Sequence, residues 1–135
     1  MSVSPIYGPM LAQIALALAV VFWLAYSRFS YIGKHGLKKV RTDGFPLRAV
    51  NASDNFKNQF EVPVLFYALC IFFAEAGEVT TAVLFFAWAF VGLRYLHALV
   101  QLTTNVIFPW RFGFFLASTL CAVVLTVIAV MQAAP

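Results

Sequence analysis

Asn58, Glu61, Arg94, His97, Gln101 and Arg111 are the residues of this chain whose types and spacing could do chemistry. Two guanidinium groups favour an anion, a carboxylate favours a cation, and Asn, His and Gln add hydrogen-bond donors and acceptors. Asn51, Asp54, Asn58 and Glu61 follow each other at spacings of three, four and three, which puts them on one face of a helix. Arg94, His97 and Gln101, at spacings of three and four, form a second polar stripe, and Arg111 stands alone just before a long apolar run. Glu61, Arg94 and His97 fall within apolar spans, where an ionisable residue costs roughly 2.5–3.5 kcal/mol at mid-bilayer and so turns to a protein interior or a wet cavity. A plainer arrangement uses the same residues: Glu61 and Arg94 as a buried ion pair, with Asn58 and His97 hydrogen-bonding between helices.

The elements that must position these residues are membrane spans. Hydropathy predicts an all-α protein, a four-helix transmembrane bundle in a single domain over residues 1–135, with spans over about residues 10–26, 56–74, 80–102 and 112–131. Glu61 then lies about 7–8 Å beyond Phe56, within one leaflet, and Pro63 is expected to kink the helix there by removing a backbone donor. Glu75 and Glu78 flank Gly77 in a connection so short that the helices on either side are antiparallel neighbours. The segment from Ser27 to Lys57 reads as a basic loop, with Arg28, Lys34, Lys38, Lys39, Arg41, Arg48 and Lys57 against Asp43 and Asp54. The first and third connections hold nearly all the Lys and Arg, so both are expected in the cytoplasm and both termini on the other side. On that topology the second, third and fourth helices bring their polar residues to one depth in the cytoplasmic leaflet.

Composition narrows the class. A chain of 135 residues that is 63% hydrophobic and 10% charged, with mean hydropathy +0.89, lacks the polar surface a water-soluble domain needs. The net charge of +4 sits beside apolar spans, which points to phospholipid headgroups rather than nucleic acid. The first apolar run lacks a basic n-region and a small-residue cleavage pattern, and so is expected to be a retained helix. Cys70 and Cys121 have neither a CxxC partner nor a His at ligand spacing, so they are expected to be inert buried thiols, with no metal site. No Walker A, GxGxxG, HExxH or GxSxG motif occurs, which argues against nucleotide chemistry and zinc hydrolysis.

The stretch from Arg48 through Asn58, Glu61 and Pro63, followed by Leu93-Arg94-Tyr95-Leu96-His97, resembles the MAPEG family, the membrane-associated proteins of eicosanoid and glutathione metabolism, and most of all its bacterial branch. The resemblance covers essentially the whole chain. It implies a homotrimer in the bacterial inner membrane that binds glutathione between neighbouring subunits, open to the cytoplasm, and meets a lipophilic small molecule or lipid through the bilayer. Arg111 matches the arginine that stabilises the glutathione thiolate in catalytic members. Asn58, Glu61, Arg94 and His97 match glutathione contacts, Lys57 stands where several members have Arg, and Gln101 occupies a position that is often Tyr. Glu61 and Pro63 are one residue closer than in the eukaryotic enzymes. The expected function is a glutathione-dependent transferase or peroxidase acting on lipophilic electrophiles or lipid hydroperoxides. The alternative is a non-catalytic lipid-binding or scaffolding protein of the same fold, since the family contains both. A four-helix drug exporter ranks last, because its first helix would need a carboxylate and this one has Gln13 as its only strongly polar residue.

Overall fold

A computed structural model describes residues 3–134, and they are all-helical. Five helices follow in order: α1 (Tyr7–Asp43), α2 (Leu47–Asn58), α3 (Val62–Ala76), α4 (Thr81–Thr103) and α5 (Phe112–Ala133), the last preceded by a wide turn over Ile107–Arg111. α2 and α3 form one interrupted crossing, so four segments are long and apolar enough to span a membrane, and the chain is a multi-pass membrane protein. Within each span's most apolar stretch, only 28–39% is buried inside the protein. The remainder, Phe22, Phe85 and Val130 among it, is exposed apolar surface of the kind that lipid tails or a neighbouring subunit can cover.

The core lies between α3, α4 and α5. Phe66 stacks on Phe90 with ring centroids 4.3 Å apart, and Phe73, Val83, Val91 and Leu125 fill the space around them. Ala87, Ala122 and Ala129 are small enough for the helices to approach closely, which is how helices gain contact where lipid offers no hydrophobic drive. Leu16 and Val20 of α1 meet Ala98 of α4 in a second, smaller cluster. The ends of the helices are set locally: Thr80 accepts from the Val83 N–H at 3.3 Å to start α4, and Gly77, at φ 70°, stops α3 in the left-handed conformation.

The segment 27–57, expected to be a loop, is helical over most of its length. α1 continues to Asp43, interrupted only at Gly36, where φ 76° and ψ 159° fall in a region reserved for glycine, and α2 begins at Leu47. Lys and Arg are good helix formers, and charge density alone misreads them as loop. The interruption near Pro63 also has a definite form. The chain leaves the helix at Gln59, passes Glu61 at φ −92°, ψ −102°, and restarts with Pro63 in the first turn of α3, where its missing N–H has no partner to lose.

A run of buried amides holds this interruption in place. Gln13 of α1 donates to Gln59 Oε1 at 2.9 Å, Gln59 donates to Asn55 Oδ1 at 2.8 Å, and Asn55 donates to the Ala98 carbonyl at 3.3 Å. Gln13, Gln59 and Asn55 are all fully buried. The Tyr95 hydroxyl adds a bond to the Ala12 carbonyl at 2.8 Å. Three helices are thereby tied beside the point where the backbone changes direction.

Candidate functional site

A cavity of about 360 Å³ opens where α2 breaks, walled by Asn58, Glu61, His97, Ile107, Arg111, Phe112 and Phe115. Each wall has a different origin. Asn58 and Glu61 come from the two sides of the α2–α3 interruption, His97 from α4, and Arg111 from the turn that leads into α5. One side is polar and the other, Ile107, Phe112 and Phe115, is apolar. The arrangement accommodates a polar group against an apolar one.

The polar wall is cross-linked. Asn58 Nδ2 donates to Gln101 Oε1 at 3.0 Å and makes a longer contact, 3.5 Å, to His97 Nε2. His97 Nδ1 lies 2.9 Å from the Arg111 carbonyl. A carbonyl only accepts, so Nδ1 carries the proton, and in the neutral ring Nε2 is the acceptor facing Asn58. His97 thus joins the backbone of Arg111 to the side chain of Asn58, fixing the two ends of the wall relative to each other.

Arg94 stands behind this wall, completely buried. Its Nη2 donates to the Asn58 carbonyl, which the interruption after Asn58 leaves free of a helical partner. Its Nε and Nη1 have no partner, and its Cζ lies 6.0 Å from the Phe115 ring. The ion pairs among the described residues are Lys39–Asp43 at 3.8 Å and Lys57–Asp54 at 3.3 Å, so no carboxylate pairs with Arg94. Glu61 is exposed on the cavity wall. The buried Glu61–Arg94 ion pair considered from the sequence is therefore not formed. A buried guanidinium with two unmet groups and no ion-pair partner is costly, and an anion entering from the cavity would offset that cost.

The structure brings together Asn58, Glu61, His97 and Arg111 on the cavity wall, with Gln101 and Arg94 directly behind Asn58. Lys57 lies apart, exposed and bonded to Asp54. One residue at this site escaped the sequence reading. Asn105, in the connection between α4 and α5, adopts φ 51°, accepts from Arg111 Nη1 at 2.9 Å, and donates to Asn51 Oδ1 at 3.2 Å. Asn is among the few residues that enter the left-handed region readily, so an Asn just past a helix end was the available signal. Cys70 and Cys121 are both free thiols and neither lines the cavity; Cys70 is buried as expected, whereas Cys121 is only half-buried.

Among known protein families, the MAPEG family matches residues 6–131, nearly the whole chain. No curated protein and no solved structure gives a significant match.

Proposed function

The chain belongs to the MAPEG family, and from that membership we propose that it is an integral membrane glutathione transferase or peroxidase acting on lipophilic electrophiles or lipid hydroperoxides. The observation that carries the reading is Arg94, a buried cation without a counter-ion beside a cavity that already holds a second arginine and an exposed carboxylate. Glutathione has two carboxylates, an ammonium and a thiol. Arg94 suits a carboxylate, Glu61 the ammonium, and Asn58, His97 and Gln101 offer donors and acceptors at neutral polar positions. Lys57 lies outside the cavity of a single chain. In a homotrimer, with the ligand between neighbouring subunits, it would add positive charge at the mouth.

Glutathione supplies the sulfur nucleophile, and the protein's part is to bind it, lower the energy of its thiolate and keep water away. A free thiol titrates near pH 8.5, and lowering that by about two units takes about 2.7 kcal/mol of differential stabilisation. We assign this part to Arg111. Its guanidinium is held by Asn105 at the cavity edge and is not neutralised by a carboxylate. The apolar wall of Ile107, Phe112 and Phe115 lowers the local dielectric and offers a surface to a substrate arriving from the bilayer. On the expected topology, the cavity opens to the cytoplasm of a bacterial inner membrane.

The test is turnover by the detergent-purified protein, with 1-chloro-2,4-dinitrobenzene as electrophile and cumene hydroperoxide as peroxide. Glutathione-dependent product formation in at least one assay is expected, falling roughly 100-fold or more in Arg111→Ala, the usual weight of a group that stabilises a developing anion. Activity independent of glutathione, or untouched in Arg111→Ala, would contradict the proposal. Glutathione binding without turnover would assign the chain to the non-catalytic members of its fold.

A further inference from the structure

A second groove, of about 280 Å³, runs between α1 and α4 and shares no residue with the polar cavity. Leu16, Ala19, Val20, Leu99 and Leu102 wall it, and Trp23 closes one end. Tyr95 contributes its ring, because its hydroxyl is already bonded to the Ala12 carbonyl. The groove is therefore apolar along its length. Arg48 lies over the closing end, its Cζ 4.4 Å from the centroid of the Trp23 ring.

The depth of these groups in the membrane follows from their neighbours. Leu102 belongs to the last turn of α4, at the cytoplasmic end of that span on the expected topology. Asn51 of α2 accepts from Asn105, just past that end, and Arg48 precedes Asn51 by three residues, toward the cytoplasm. The groove thus occupies the acyl-chain zone of the cytoplasmic leaflet, and Arg48 the headgroup zone above it. Tryptophan at that boundary is in its preferred place.

Charge decides the kind of occupant. Arg48 is exposed and has no carboxylate partner among the described residues, whose ion pairs are Lys39–Asp43 and Lys57–Asp54. Among the described residues, no acid lines the groove or pairs with Arg48 to receive the ammonium of a zwitterionic headgroup. The stack on Trp23 fixes the guanidinium without neutralising it.

We infer that the α1–α4 groove with Arg48 is a binding site for an anionic glycerophospholipid of the cytoplasmic leaflet, one acyl chain lying against Leu16, Val20 and Leu99 and the phosphate meeting Arg48. The site is independent of the glutathione reading. It needs only that the chain spans a membrane in the expected orientation.

Native mass spectrometry of the protein released from detergent, with phosphatidylglycerol or phosphatidylcholine of matched chains added, tests it. Phosphatidylglycerol is expected to be retained about fivefold more than phosphatidylcholine, the weight of one cation near an anionic headgroup. Arg48→Gln is expected to erase that preference. Ala19→Phe, which fills the groove from its exposed side, is expected to lower retention of both lipids. Equal retention of the two lipids by the unmodified protein, or retention unchanged in both variants, would overturn the inference.

Discussion

Arg111 reaches the cavity with its guanidinium already held, and the residue that holds it is Asn105. Replacing Asn105 by Gly keeps a backbone able to adopt φ 51° and removes only the side chain. The expected result is a fall in kcat of about tenfold with a smaller change in KM for glutathione, because a guanidinium free to swing stabilises the developing anion less than it binds the ligand. Steady-state kinetics of Asn105→Gly with varied glutathione checks this, and a raised KM with kcat unchanged would assign Asn105 to binding. At this scale the site was largely legible in the sequence. A charged side chain inside hydrocarbon stands out by its cost, so Glu61 and Arg94 were conspicuous, whereas Arg111, just before the fourth span, was singled out by family resemblance. Asn105 was neither, since it lies in a polar connection where an Asn is ordinary and its role appears only once the backbone turns left-handed. The absence of a Glu61–Arg94 pair was equally hidden, because helical spacing gives the face of a residue and not the direction of its side chain.

Between elements, the amide run from Gln13 through Gln59 and Asn55 to the Ala98 carbonyl fixes the α2–α3 interruption that carries both Asn58 and Glu61. Gln59→Leu leaves a buried donor on Gln13 and a buried acceptor on Asn55 unmet, at a cost of roughly 1–3 kcal/mol. Thermal melts in detergent should show a clear loss of Tm for Gln59→Leu and for Gln13→Leu, with the double variant less destabilised than the sum of the two. Strict additivity would mean that the two side chains act independently. Pro63 signalled that the helix would change direction, and the sequence placed this at the proline itself. The break falls at residues 59–61 because proline is compatible with the first turn of a new helix and incompatible with the continuation of an old one. The helical form of the basic segment was missed for a different reason. Its charges exclude it from the bilayer but not from a helix, and hydropathy reports only the first.

For the whole molecule, α1 is 37 residues long, about 55 Å if straight, against a hydrocarbon core of about 30 Å. Its basic end with Lys34, Lys38, Lys39 and Arg41, all exposed, therefore stands beyond the bilayer. By the positive-inside rule we propose that this end is cytoplasmic and that the Glu75–Glu78 connection faces the opposite side. In a background with Cys70→Ala and Cys121→Ala, a membrane-impermeant maleimide should label Glu78→Cys in intact cells and Lys39→Cys only after lysis. The reverse pattern would invert the cavity and place glutathione on the wrong side of the membrane. Four apolar helices and their order were legible because a span needs about 20 consecutive apolar residues and nothing subtler. Assembly was not, because lipid-facing and subunit-facing surfaces are equally apolar, and the homotrimer is a proposal carried by family resemblance.

The most direct test of the account is the ultraviolet difference spectrum of glutathione mixed with the detergent-purified protein at neutral pH, followed by stopped flow at the thiolate absorbance. The account predicts a saturable thiolate signal in the unmodified protein and its loss in Arg111→Ala. No signal at millimolar glutathione, or an equal signal in both proteins, would contradict the claim that this cavity binds and activates a thiol.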